Sequence, residues 1–151
     1  MRVFAFFVVL AGLMLTMAAN AQTSGTEKPP FAVGQMWSIK SPTPTTAKIV
    51  IGRVENFSDM IAVHISVLDV PIPAGAPGAG RTIAIGHMPF EQTALAASVD
   101  QLLGTGASPD RNFEGGYANW QSAKGGIYTI SVEKAVQLLF DALTQRNIPA
   151  R

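Results

Sequence analysis

Alternating apolar and polar positions in the first half of the chain predict β-strands. We expect strands over residues 34–41, 47–55, 61–68 and 81–87. The third of these alternates most clearly, because one face carries only large aliphatic side chains (Ile61, Val63, Ile65 and Val67), whereas Ala62, His64 and Ser66 lie on the other. The short, turn-like connection at residues 56–60 predicts that the second and third strands form an antiparallel hairpin.

Apolar residues at helical spacing predict helices in the second half of the chain. We expect helices over residues 89–103, around residues 113–124, and after Ser131. Pro89 suits the first helical position and Gly104 suits a C-terminal stop. Residues 127–130 resemble a short strand, and we expect this strand to join the sheet because on its own its backbone groups would be unpaired.

The order of these elements favours an α+β fold. Strands come first and helices follow, without the regular strand–helix alternation of a doubly wound sheet. We therefore expect an antiparallel sheet of about four to five strands, with two to three helices packed on one face. Residues 69–80 are rich in Pro and Gly, and are expected to form a surface loop or a long crossing of the sheet.

The most hydrophobic run of the chain lies at its N-terminus and has the layout of a secretory signal peptide. Arg2 precedes an apolar run from Val3 to Met17, and Ala19-Asn20-Ala21 is a small-x-small cleavage motif. We expect cleavage after Ala21. The alternative is an uncleaved membrane anchor, for which this run is a little short.

A signal peptide divides the chain into three parts: residues 1–21 for export, a polar leader over residues 22–30 that we expect to be flexible, and one domain over residues 31–151. Export without cysteine is typical of a bacterial periplasmic protein. We therefore expect the mature protein in the periplasm or the medium, with no stable membrane insertion after cleavage.

Composition narrows the function mainly by exclusion. The chain has 11 Lys+Arg, 10 Asp+Glu and no Cys, for a formal charge of +1, and the excess charge disappears with Arg2 of the signal peptide. A neutral domain gives no electrostatic reason to expect nucleic acid as a partner. Without Cys, thiolate catalysis and Cys-ligated zinc are excluded, and no motif in the sequence indicates a cofactor.

The two histidines, His64 and His87, are the candidate catalytic residues, with Glu91 as a nearby carboxylate. Such a set can act as a base with its partner or contribute metal ligands, although the spacing is not that of a metal motif. Strand parity places the two rings on opposite faces of the sheet, unless a bend at Gly86 reverses it. The alternative is that both are ordinary structural or surface histidines.

Four residues are candidates for binding a ligand: Trp37, His87, Tyr117 and Trp120. His87 precedes Pro89 where a strand ends and a helix is expected, so free helix N–H groups could face a ligand there; a rigid corner is the alternative. Tyr117 and Trp120 could stack on sugar or peptide, although aromatic residues at helical spacing are more often core. Trp37 has the same two interpretations.

Several short motifs resemble those of a group of small bacterial proteins. They are Gly34-Gln35-Met36-Trp37, Val63-His64-Ile65-Ser66-Val67, His87-Met88-Pro89-Phe90 and Gly116-Tyr117-x-x-Trp120, followed by Ile127-Tyr128-Thr129-Ile130-Ser131-Val132. The resemblance covers about residues 31–143. It implies one self-contained domain but no particular activity, so no catalytic residue is carried over from it.

Three functional hypotheses follow. The first is an exported domain that binds another protein or an envelope component without catalysis, in the manner of an inhibitor or immunity protein. The second is a small hydrolase or metal-binding enzyme that uses His64 and His87, which requires the two imidazoles to converge. The third is that these motifs only specify a core.

Overall fold

Residues 31–146 are described by a computed structural model of the chain. The expected signal peptide, the leader and residues 147–151 lie outside the described residues. The elements are, in order, β1 (Met36–Ile39), β2 (Lys48–Asn56), β3 (Ile61–Pro71), β4 (Thr82–Glu91), α1 (Gln92–Ser98), β5 (Val99–Gly104), α2 (Phe113–Ser122) and α3 (Val132–Arg146).

The five strands form one antiparallel sheet in the order β4-β3-β2-β1-β5. This confirms the α+β class and the β2–β3 hairpin predicted from the alternating pattern. Strand β3 continues to Pro71, so the first three residues of the Pro- and Gly-rich segment predicted over 69–80 belong to the sheet. The rest connects β3 to β4 and is closed by a bond from the Ile72 N–H to the Arg81 carbonyl. Within residues 31–146, no helix is both long and apolar enough to cross a membrane.

The apolar face of the sheet carries the hydrophobic core. Its strand residues include the aliphatic side chains of β3 that were predicted to share a face, together with residues of the other four strands, and they pack against α1 and α3 through Leu95, Val132 and Ala135. Strand residues of this core that are fully buried include Ile49, Ile51, Val63, Ile65, Val67 and Phe90. This is the face on which we expected all of the helices.

Helix α2 lies on the opposite face, which corrects the expectation that the helices share one side. His64 and Ser66 point away from the aliphatic core, yet both are fully buried. His64 is in edge-on contact with the rings of Tyr117 and Trp120 on α2. The sheet therefore lies between two layers, and its second face is buried against polar and aromatic groups.

The helix predicted over residues 89–103 is wrong at both ends. Strand β4 continues to Glu91, so Pro89 and Phe90 belong to the sheet, and only Gln92–Ser98 is helical. The chain then returns to the sheet as β5 and pairs with β1. Ser98 fixes this point, because its hydroxyl accepts the Val132 N–H and its carbonyl accepts the Lys40 N–H.

The short strand predicted over residues 127–130 is reduced to a single bridge. Tyr128 pairs in parallel with Phe90 at the edge of β4, with one bond from the Tyr128 N–H to Pro89 and one from the Glu91 N–H to Tyr128. The segment joins the sheet as expected, but it does so through one residue.

Candidate functional site

A chain of polar contacts crosses the buried face of the sheet beneath α2. The Tyr117 hydroxyl donates to Glu55 Oε1 over 2.7 Å. The other carboxylate oxygen, Oε2, lies 2.9 Å from His64 Nε2, although the ring N–H does not point straight at it. His64 Nδ1 in turn lies 2.9 Å from His87 Nε2. We call Glu55, His64 and His87 the relay.

The two imidazoles of the relay meet edge to edge. Their planes differ by 18° and their centroids are 5.2 Å apart, whereas the facing nitrogens are separated by only 2.9 Å. In two rings stacked face to face, the distance between the centroids would instead be close to the shortest distance between atoms of the two rings. The nitrogens therefore share a proton in roughly the common plane of the rings, which is the orientation of a good hydrogen bond.

Irregular pairing brings these residues to one face. Between β3 and β4, Ile65 pairs with Met88 whereas Val67 pairs with Ile85, so β4 contains one extra residue. A bulge of this kind reverses the alternation that follows it. His87 consequently lies on the same face as His64, although simple parity from Ile85 placed it on the other. The bend considered at Gly86 is where this extra residue lies.

A second bulge supplies the carboxylate. Ile51 of β2 pairs with Ile65, but the next pair is Arg53 with His64, which leaves Gly52 as the extra residue. Arg53 and Glu55 are thereby directed to the face of His64. Arg53 stacks over the Tyr117 ring at 4.2 Å, and its guanidinium lies 3.4 Å from Glu114 at the surface. The site is thus flanked by one cation and two carboxylates.

Close approach of α2 to the sheet requires glycine at two positions. A Cβ at Gly52 would lie 2.3 Å from the Phe113 ring, and a Cβ at Gly116 would lie 2.6 Å from the Cβ of His87. Either distance is shorter than real carbon contacts. Gly116 therefore has a packing role that compensates for its poor helix propensity.

Ser66 fixes the segment that leads into α2. Its hydroxyl donates to the Gly86 carbonyl over 2.7 Å and accepts the Asp110 N–H over 2.9 Å. Asp110 then accepts the Asn112 N–H through its carboxylate. The helix start is therefore tied to β3 and to the bulge of β4, so the aromatic face of α2 is set against the relay.

Burial sets the proton affinities of the site. Desolvation lowers the pKa of His64, and the opposing attraction of Glu55 does not offset it. Desolvation, together with the neighbouring His64, lowers the pKa of His87 to about 4. The hydrogen bond to Glu55 raises the pKa of the Tyr117 phenol. Both imidazoles are consequently neutral at neutral pH.

Surface depressions surround the relay on the α2 side. A groove of about 530 Å³ runs beside Glu55, Tyr117 and Trp120 and is otherwise lined by Phe57, Ser58, Asp59, Met60, Gln121, Lys124, Gly125 and Ile127. We call it the Trp120 groove. His87 borders two further depressions, one shared with Trp120 and Tyr128 and the other with Arg111 and Asn119.

The structure brings together most of the candidate residues predicted from the sequence. His64, His87, Tyr117 and Trp120 form one cluster, in which His64 contacts each of the other three rings. The hypothesis of a His64–His87 pair required this convergence, and the geometry satisfies it.

Two predicted residues lie elsewhere. Trp37 is 2% exposed within the apolar core, where its indole N–H donates to Gln35. Glu91 ends β4 and its backbone pairs with Tyr128; the carboxylate beside His64 is Glu55. Sequence reasoning missed Glu55 and Arg53, which could have been found by counting the hairpin register back from His64 across the turn.

Metal binding has no support in this arrangement. Within residues 31–146, no group of three or more His, Asp or Glu side chains is placed to hold an ion. The facing nitrogens of the two imidazoles are directed at each other, which leaves them no common position for a metal.

No protein-family model, no curated protein and no solved structure matches this chain.

Proposed function

We propose that the protein is an exported domain that binds a segment of another protein in the Trp120 groove. The observation that carries the proposal is the convergence of Tyr117 and Trp120 with Glu55 at one concave surface. The convergence of residues so distant in the chain builds a concave site in which Phe57 is exposed and Trp120 is partly exposed, while Tyr117 is buried behind them. Concave sites are the usual location of ligands.

The lining of the groove favours a peptide segment with an apolar anchor. Phe57, Met60 and Ile127 supply apolar surface beside Trp120, while Asp59 and Lys124 place one charge of each sign at the rim. Tyr and Trp are the residues most often found at the energetic centres of protein interfaces. An envelope glycan could also stack on Trp120, and is the other outcome that the experiment below distinguishes.

Export follows from the N-terminal pattern and forms part of the proposal. With cleavage after Ala21, the mature chain begins at Gln22, and its neutral, cysteine-free composition suits a periplasmic or secreted inhibitor or immunity protein. Intact-mass measurement of the protein recovered from the periplasm checks this. A mass that retains residues 1–21 would contradict cleavage.

Site-specific photo-crosslinking in cells tests the groove. A benzophenone amino acid at Gln121 lies in the Trp120 groove, whereas the same residue at Leu138 lies on exposed α3. We expect a discrete protein adduct from position 121 and none from position 138, because only the former faces the proposed partner. Adding Trp120→Ala to the position-121 protein should remove the adduct.

Two outcomes would contradict the proposal. Equal crosslinking from both positions would mean that the groove has no special affinity. An adduct whose added mass is removed by glycan hydrolases, and whose tryptic digest contains no peptides of a second protein, would assign the groove to an envelope glycan. The variants must first be shown to fold, by circular dichroism and by a thermal transition within a few degrees of the parent protein.

A further inference from the structure

We propose that His87 is a general base for hydrolysis of an ester or related acyl substrate, with Nδ1 as the atom that accepts the proton. His64 and Glu55 are positioning residues that fix the protonation state of the ring. This proposal does not rest on the binding function, because its base, His87, does not line the Trp120 groove, although Glu55 borders both the relay and that groove.

The carboxylate of Glu55 determines which nitrogen of His64 donates a hydrogen bond and which accepts one. A carboxylate only accepts hydrogen bonds, so the His64 nitrogen that faces Glu55 must carry the proton. That nitrogen is Nε2, at 2.9 Å. A neutral imidazole has one N–H, and His64 Nδ1 is therefore an acceptor.

The protonation of His64 determines that of the His87 ring. His87 Nε2 lies 2.9 Å from His64 Nδ1, and because Nδ1 accepts, His87 Nε2 must donate. The only lone pair left on the His87 ring is then at Nδ1. The buried carboxylate thus determines, through one intervening imidazole, which atom of His87 is basic.

The basic atom is also the available one. Both nitrogens of His64 face a partner and its side chain is fully buried. His87, by contrast, is only partly buried and borders two surface depressions. No described residue hydrogen-bonds to its Nδ1.

The chemical step balances without a cofactor. Water bound beside His87 attacks the acyl carbon and gives one proton to Nδ1, so a carbon–oxygen bond forms as the water O–H bond breaks. The tetrahedral intermediate then expels the alkoxide, which takes the proton back from Nδ1. The products are an acid and an alcohol. While His87 is cationic, its Nε2–H bond to His64 and the charge of Glu55 stabilise it.

Nitrogen-15 NMR of the histidine rings tests the protonation state directly in the unmodified mature chain. Long-range proton–nitrogen spectra at pH 7 distinguish a protonated from an unprotonated ring nitrogen. We expect both histidines as neutral Nε2–H tautomers, with an unprotonated Nδ1 on His87. A proton on Nδ1 of His87 would overturn the proposal, because no basic atom would then reach the surface.

Hydrolysis of 4-nitrophenyl acetate, followed by release of 4-nitrophenolate, tests the activity. We expect His87→Gln to lower the rate at least about tenfold, as the loss of a general base does. Leu138→Ala, on exposed α3, is the matched control and should keep the parent rate. Equal rates for the parent protein and His87→Gln would overturn the proposal even if the tautomers are as expected.

Glu55→Gln separates positioning from simple structural support. The amide keeps an oxygen for the Tyr117 hydroxyl but removes the charge that favours a protonated His87. We expect the midpoint of the rate against pH to move to lower pH, with a lower plateau. A change of plateau with no movement of the midpoint would show that Glu55 does not act on the base, and would contradict the relay.

Discussion

The two faces of the sheet are buried in different ways. Under α1 and α3 the contacts are aliphatic and aromatic, and among the described strand residues of this core only the Trp37 indole N–H needs a polar partner, which is Gln35. Under α2 the sheet presents His64 and Ser66, both fully buried, and each needs a specific partner. Apolar side chains of a different shape can be accommodated on the first face at a cost in packing energy. On the second face, each polar side chain must keep the orientation and protonation state that its hydrogen bonds require.

This difference means that the apolar face mainly stabilises the fold, whereas the α2 face carries the reactive groups. An apolar core stabilises through area removed from water and has no directional requirement. A buried polar network that is fully satisfied contributes little net stability but specifies one arrangement, and it is costly when one member is lost. The α2 face therefore contains the groups whose chemistry can be used.

The largest expected effect is on the apolar face. Phe90 is fully buried in the core and in contact with the Tyr128 ring, so Phe90→Ala should lower the free energy of unfolding by about 3–5 kcal/mol. Urea denaturation at pH 7 measures the loss. If the loss is below about 1 kcal/mol, Phe90 is not a core residue, and the contrast between the faces is wrong.

The next effect is a pH dependence that belongs to the α2 face. Since the pKa of His87 is lowered to about 4, the unfolded chain binds its proton near pH 6.5 while the folded protein does not. The contribution of neutral His87 to the free energy of unfolding is therefore fully present above about pH 6.5, and it is lost as the pH drops towards about 4. Screening at a partly exposed ring limits this loss to about 2 kcal/mol.

Unfolding curves at pH 7, 6, 5 and 4.5 measure that loss, and His87→Gln is the control that should flatten the profile over this range. His64, whose pKa burial also lowers, lies beside the His87 ring, and Glu55 and Arg53 are the charged groups that act on the pair. A profile for His87→Gln that is parallel to that of the parent protein would assign the acid sensitivity to other groups.

A pair of neighbouring glycines tests how closely α2 approaches the sheet. Gly116→Ala places a Cβ 2.6 Å from the Cβ of His87, whereas a Cβ at Gly115 meets nothing within 4 Å. We expect Gly115→Ala to stabilise by up to about 1 kcal/mol through helix propensity. Gly116→Ala should instead destabilise by about 1–3 kcal/mol through overpacking. The same sign for both variants in urea denaturation would show that α2 is not seated on His87.

The apolar face could be predicted from the sequence because it depends on a simple period. The alternation in β3 identified Val63, Ile65 and Val67 as core residues, and the structure buries all three. The α2 face was harder, because two bulges that have no regular signature reverse the alternation. Simple parity therefore places His87 on the wrong side, and only the bend at Gly86 predicts the correct one. Glu55 can be found from the hairpin register between the turn and the Arg53–His64 pair, which crosses neither bulge.

The helix predicted over residues 89–103 failed for a tertiary reason. Leu102 and Leu103 have helical spacing from Val99, but both are exposed on β5. The chain leaves the helix at Ser98, where contacts with Val132 and Lys40 replace helical bonds, and the open edge of β1 offers a ladder. Local propensity gives no information about such distant partners.

The smallest expected effect is at the end of the relay and is spectroscopic. Because Tyr117 donates to Glu55, the pKa of its phenol is raised above the usual value, so ultraviolet titration should show a late tyrosine transition above the usual pH range. Tyr117→Phe should remove that late transition. It should also leave Glu55 with one partner fewer, and so draw the carboxylate closer to His64. If the late transition persists in Tyr117→Phe, it belongs to Tyr128, and the hydroxyl of Tyr117 is not bound to the carboxylate. The polar face would then begin at His64, and the relay would have no fixed outer partner to orient Glu55.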